Sequence, residues 1–86
     1  MTGHISLCGR HAKSPLGGNT YIVAMVYDES GLIFQKNLNV GVYDKTYIYN
    51  TIIEYKEKYD APEIRISTNK KNKYNEILGE YFELFL

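Results

Sequence analysis

The apolar positions of this chain outline three strand-like segments in its first half, then switch to helical spacing, return to alternation, and switch to helical spacing again. HISLCGR at 4–10 reads as a short first strand. KSPLGGNT at 13–20 carries the densest turn chemistry, with Pro15 fixing φ and Gly17 and Gly18 allowing φ > 0. These residues are expected to connect two strands. Tyr21–Tyr27 (YIVAMVY) is apolar at every position, the pattern of an interior strand covered on both faces, and Asp28-Glu29-Ser30-Gly31 supplies a turn after it. Leu32–Val40 then alternates, with Leu32, Phe34, Leu38 and Val40 on one face and Ile33, Gln35, Asn37 and Asn39 on the other. The two segments predict a hairpin.

Asp44 can cap a helix running from about Lys45 to Tyr59, whose apolar stripe is Ile48, Ile52, Tyr55 and Tyr59. Pro62 bars its continuation, and Glu63–Thr68 alternates again with Ile64, Ile66 and Thr68 on one face. A strand reached through a helical crossover is expected to lie parallel to an earlier one. From about Lys71 onward, Tyr74, Ile77, Leu78, Tyr81, Phe82 and Phe85 form a second amphipathic stripe, with Asn69 or Asn72 as cap. No repeat, low-complexity tract or linker interrupts this order. Residues 1–86 are expected to form one α/β domain with a mixed sheet, in the order β-β-β-α-β-α.

A chain of 86 residues builds one core only, and 44% apolar with 23% charged residues is a globular composition. Ten basic and ten acidic residues cancel, which argues against a protein held mainly by phosphate attraction and equally against an acidic mimic of DNA. Cys8 is the only cysteine, so no intramolecular disulfide or cysteine-built zinc site is expected, and a reducing compartment follows. MTGHISLCGRH lacks a long apolar run after a basic start, so neither a signal peptide nor a membrane span is expected, and a cytoplasmic location is. Nine tyrosines and no tryptophan, beside many Lys, Asn and Ile, fit the residue usage of an AT-rich genome as well as a selected surface.

The order of elements, the Gly-rich first connection and the strand closing on IRISTN at 64–69 resemble the first two-thirds of ribonuclease H. The resemblance implies a truncated ribonuclease H-like fold. In that family the first strand carries Asp-Gly, the first helix presents a Glu, and the fourth strand ends in Ser-Thr-Asp. Those carboxylates hold metal ions that activate water for phosphodiester cleavage. Carried onto this chain, the Asp-Gly falls on Cys8-Gly9, the Glu near Tyr47 and the last Asp on Asn69. Neutral side chains there do not hold hard cations, so ribonuclease activity, a metal and a cofactor are not expected. The family's fifth strand and later helices are missing, which leaves the fourth strand as a sheet edge where a partner or a second copy can pair.

Several residue groups carry candidate chemistry. Cys8, Arg10 and His11 lie together, and a thiolate beside a cation can be a nucleophile, but a small buried Cys and a solvated loop is the preferred reading, since Cys is among the most commonly buried residues. Asp28-Glu29-Ser30-Gly31 offers carboxylates, but an Asp at a turn start ordinarily bonds its own backbone. Gly17-Gly18-Asn19 lacks the Lys-Ser/Thr of a phosphate loop and precedes a strand. Lys70, Lys71 and Lys73, with Arg10 and Lys13, can form a basic rim for nucleic acid or an acidic protein, or a solvated helix start. Tyr43, Tyr47 and Tyr49 surround the start of the first helix, where tyrosines suit a protein interface or base stacking.

The leading expectation is therefore a small, non-catalytic module acting on a protein partner, such as an inhibitor or anti-defence protein of a phage or mobile element. The first alternative is a nucleic-acid binder using the basic rim with Tyr47 or Tyr49 stacking on bases. The second is a small-ligand binder or enzyme built on Cys8, His11 and Gly17-Gly18. Homodimerisation through the free sheet edge fits the first of these readings.

Overall fold

The computed structural model describes residues 3–14, 17–66, 73–74 and 78–85. Period-two patterning produces three long strands, β1 His4–Ser14, β2 Gly17–Asp28 and β3 Gly31–Asn39. After them come α1 Lys45–Lys58, β4 Glu63–Ile66 and a short α2 Gly79–Phe82, which tightens into a 3₁₀ turn at Glu83–Phe85. The result is a small mixed α/β protein with a four-stranded sheet in the order β3-β2-β1-β4. β1 and β3 flank β2 antiparallel, whereas β4 runs parallel to β1 after the α1 crossover, as the expected crossover requires.

β1 and β2 are longer than the turn residues suggested. Their ladder continues from His4 opposite Tyr27 out to Ser14 opposite Gly17, so most of 13–20 is strand rather than connector. Pro15 lies outside the described residues. Gly18 has a different use from a turn, because a Cβ on it would collide with the His11 ring lying over it. That ring is held by a hydrogen bond between Nδ1 and the Thr20 hydroxyl at 2.9 Å and by stacking on Tyr74 at 5.0 Å.

Alternation assigns Ile5, Leu7 and Gly9 of β1, with Ile22, Ala24 and Val26 of β2, to the face that carries the helices. They pack with Leu38, Ile48, Ile52, Leu78 and Phe82 in one apolar cluster, with Phe34, Tyr55, Tyr59, Ile64 and Ile66 around it. Gly9 is needed there: a Cβ would press on the Tyr74 backbone at 2.7 Å and on the Leu78 side chain at 2.9 Å. The other face of β2 is not covered by any helix among the described residues, which corrects the expectation of burial on both sides. Its apolar residues shield one another instead. Tyr27 stacks on His4 at 4.9 Å and its hydroxyl donates to the Met25 sulfur at 3.6 Å, while Val23 between its neighbours is only 3% exposed.

β3 departs from the expected alternation at one point. The pairing steps from Val26 opposite Phe34 to Tyr27 opposite Leu32, so Ile33 is an extra residue in a bulge. Phe34 and Leu38 keep the core face, but Leu32 is moved to the other side of the sheet and is 51% exposed. The hairpin joining β2 to β3 closes at Gly31, whose φ of 117° is one that only glycine adopts without strain.

α1 forms where its stripe predicts. Asp44 caps it by accepting the Tyr47 backbone N–H at 2.8 Å, and Ile48 and Ile52 are fully buried. Its end is a Schellman motif: Ala61 N–H bonds the Lys56 carbonyl at 3.0 Å and Asp60 N–H the Glu57 carbonyl at 3.3 Å, with Asp60 left-handed at φ 51°. The helix therefore stops before Pro62 is reached. Of the second stripe, Leu78 and Phe82 are buried, and Tyr74, Tyr81 and Phe85 are half-buried, while Ile77 lies outside the described residues. Leu78 sits in a turn conformation ahead of α2, with Gly79 following it, a weak helix former at the point where a longer helix is expected.

Two substitutions test this account. Asp60→Gly removes a side chain from the left-handed position and should raise stability by about 0.5–1 kcal/mol. Gly9→Val forces the C-terminal segment off β1 and should lower stability by about 2–3 kcal/mol. Both are read from urea denaturation midpoints.

Candidate functional site

The chain leaves β3 through an Asx turn, in which Asn39 Oδ1 accepts the Gly41 N–H at 2.8 Å and the Asn39 carbonyl accepts from Val42 and Tyr43 at 3.1 and 3.0 Å. This turn presents Val42 at 70% exposure and sets Tyr43 just before the Asp44 cap. Tyr43 stacks on Tyr47 at 4.5 Å with rings 15° from parallel, and Tyr47 remains 49% exposed. Tyr49 lies two residues on, about 200° around a helix, and so joins a different set. It stacks on Phe85 of the 3₁₀ turn at 5.2 Å.

Beside Tyr49 runs a groove of about 310 Å³ lined by Lys45, Thr46, Tyr49 and Leu84, and Leu84 is 41% exposed. Its rim is fixed by Lys45, which pairs with Glu80 at 3.0 Å and lies 5.7 Å over the Tyr81 ring. A second hollow of about 320 Å³ continues past Tyr49 and Leu84 to Ile53, Ile64 and Phe85, with Lys56 and Glu57 at its edge. On the Tyr47 side, burial, followed by neighbouring Tyr47 and Tyr59, pushes the Tyr55 hydroxyl above its ordinary range. Tyr55 and Tyr59 both pack on Phe34, at 5.1 and 5.4 Å, so this ring cluster is anchored to the sheet.

Of the three tyrosines expected at an interface, Tyr43 and Tyr47 are brought together and Tyr49 is placed with Phe85 and Leu84. Val42 and Leu84 were not singled out by the residue pattern. Leu84 had a usable signal, since it is a large apolar residue off the stripe formed by Tyr81, Phe82 and Phe85.

The basic residues are distributed differently. Arg10 alternates with Cys8 on the sheet face away from the helices and is exposed. Lys73 is exposed with its ammonium 5.3 Å over the Tyr74 ring, which stacks on His11 on the helix-bearing face. The two cations thus belong to opposite faces. Lys70 and Lys71 lie outside the described residues, and Lys13 is placed only as a residue of β1 near its end. Cys8 and His11 also occupy opposite faces of β1 and do not meet. Cys8 faces away from α1, from whose first turn Tyr47 projects, so these two of the positions carried over from ribonuclease H do not converge; Asn69 lies outside the described residues.

Among the described residues no three His, Cys, Asp or Glu side chains come together, and no helix is long and apolar enough to cross a membrane. In the β2–β3 turn, Asp28 Oδ1 accepts the Ser30 hydroxyl at 2.6 Å and the Ser30 backbone N–H at 2.7 Å. These two donors hold the Asp28 carboxyl below its usual range, the behaviour of a turn-forming aspartate. No family model, curated protein or solved structure matches this chain.

Because folding lowers the Asp28 pKa, its contribution to stability is present above the ordinary aspartate value and is lost as pH falls through the folded-state midpoint. Ser30→Ala should move that midpoint upward, as followed by NMR titration of the Asp28 carboxyl carbon. A midpoint unchanged in the variant would show that the hydroxyl contributes nothing.

Proposed function

We propose that this chain is a non-catalytic binding module that holds a protein partner through the aromatic groove at the start of α1. The observation that carries this reading is the groove itself: Tyr49 and Leu84, 37% and 41% exposed, form an apolar lining that remains open to solvent. Tyrosines contribute large contact area with few rotatable bonds, and such anchors dominate protein interfaces. Lys45, tied to Glu80, provides a fixed polar rim.

The finer description we propose for the fold is a reduced ribonuclease H-like sheet. It is supported by the order β3-β2-β1-β4 and by the parallel return of β4 beside β1 through α1. The catalytic part of the resemblance is not carried with it, because Cys8 and Tyr47 are neutral and stand apart. Nucleic-acid binding has less support, since Arg10 and Lys73 face opposite ways and the formal net charge is zero.

The test compares the wild type with Tyr49→Ala/Leu84→Ala, both exposed positions whose truncation should leave the circular dichroism spectrum unchanged. The wild type should capture a defined protein from bacterial lysate, and the double variant should bind that protein more weakly by about 2 kcal/mol or more, about thirtyfold in Kd. Equal binding by the variant would remove the groove from the interface. A gain in mass with oligonucleotides that disappears at high salt, with no protein captured, would overturn the proposal in favour of nucleic acid.

A further inference from the structure

β4 is an outer strand, bonded to β1 on one side, and among the described residues no strand lies along its other side. The opposite edge, β3, is guarded twice against pairing with another chain. The Ile33 bulge interrupts its ladder, and Lys36, opposite Ala24, stands on the helix-bearing face between Phe34 and Leu38. A strand added there would have to pack around that charge. β4 has neither device: Glu63–Ile66 pair regularly with His4–Leu7, and both of its charges belong to the face away from the helices. Pro62 and the shortness of β4 limit any addition to a few residues.

The charge order on β4 selects the strand that fits. Glu63 and Arg65 are exposed on one face, where Arg65 donates to Glu63 at 3.1 Å and a second copy would extend this pair into a four-charge cluster, while Ile64 and Ile66 are half-buried on the other. We infer that β4 pairs antiparallel with β4 of a second copy, centred on Ile64. In this register Ile64 opposes its own counterpart, Glu63 opposes the second copy's Arg65, and Arg65 opposes the second copy's Glu63. Both cross-strand charge pairs are attractive, whereas a register centred on Arg65 sets two guanidinium groups against each other. The contact is isologous, as a two-fold dimer requires, and a formal net charge of zero leaves no overall repulsion between copies. On the helix-bearing side, the hollow lined by Ile53, Ile64, Leu84 and Phe85 opens at the pairing strand. Lys56 and Glu57 on its rim again offer one charge of each sign to the second copy. Edge pairing and this apolar margin together join two four-stranded sheets into one continuous sheet.

This inference goes beyond the partner groove: Tyr49 and Leu84 line hollows on both surfaces, but Glu63 and Arg65 line neither, so charge reversal on β4 tests the dimer alone. Sedimentation of the wild type over a concentration series should show mass rising from 9.9 kDa toward twice that value. Glu63→Arg and Arg65→Glu, at exposed positions, should each weaken self-association by about tenfold or more, because attractive pairs become repulsive. The double variant Glu63→Arg/Arg65→Glu should restore the dimer, and an equimolar mixture of the two single variants should form a mixed dimer. A wild type that stays monomeric at its highest soluble concentration would overturn the inference. So would a dimer that the two single charge reversals leave unchanged, since it would have to use another surface.

Discussion

The helix-bearing face of β1 is the constraint on which the other elements depend. Ile5 and Leu7 are completely buried, and β1 is the strand through which the antiparallel hairpins and the parallel β4 are joined into one sheet. Gly9 extends that face as a flat place where the Tyr74 backbone and the Leu78 side chain can approach. The core that results contains no buried polar side chain among the described residues, so nothing in it specifies geometry by hydrogen bonding. Register is specified by alternation alone. A shift of one residue would bring His4, Ser6, Cys8 and Arg10 under the helices in place of Ile5, Leu7 and Gly9, which no packing could compensate.

Among the described residues the helices lie on one side, and the other face of the sheet carries no second layer. The residues there are suited to it. Tyr21, Met25, Tyr27, His4 and Cys8 are half-buried against one another, and Gln35, Asn37 and Arg10 lie exposed around them. The two sheet edges are treated unequally: β3 combines a bulge with a charge on the core side, and β4 presents an uninterrupted ladder with its charges kept outside the core. Natural edges are commonly protected by the first combination, so the difference between them is a property of the sequence rather than of the fold class.

Much of this was legible from local pattern. The α1 stripe, the Asp44 cap and the parallel return of β4 follow from spacing and from the crossover rule, which depend on neighbours along the chain. What was not legible depends on contacts across the sheet. Gly17 and Gly18 look like a turn because glycine is rare inside strands, but Gly18 is small to admit the His11 ring. Leu32 looks like a core residue until the Ile33 bulge moves it across the sheet. At the candidate site, Tyr43, Tyr47 and Tyr49 were visible as tyrosines outside or beside the main stripe and helix spacing separates Tyr49 from Tyr47, but the partners that Tyr49 meets, Phe85 and Leu84, lie more than thirty residues away in the chain.

The aromatic residues at the start of α1 are exposed without being loose, and this bears on why they suit recognition. A side chain that must be ordered on binding gives up part of its contact energy to lost rotamer freedom. Tyr47 and Tyr49 each stack on a neighbouring ring in the free protein, Tyr47 on Tyr43 and Tyr49 on Phe85, which favours the observed rotamers. Lys45 is similarly restrained by Glu80 and the Tyr81 ring. Both anchors of this restraint pack on the core, Tyr43 from the turn before α1 and Phe85 from the C-terminal segment that lies against Gly9. The groove wall formed by Leu84 therefore depends on the docking of that segment on β1.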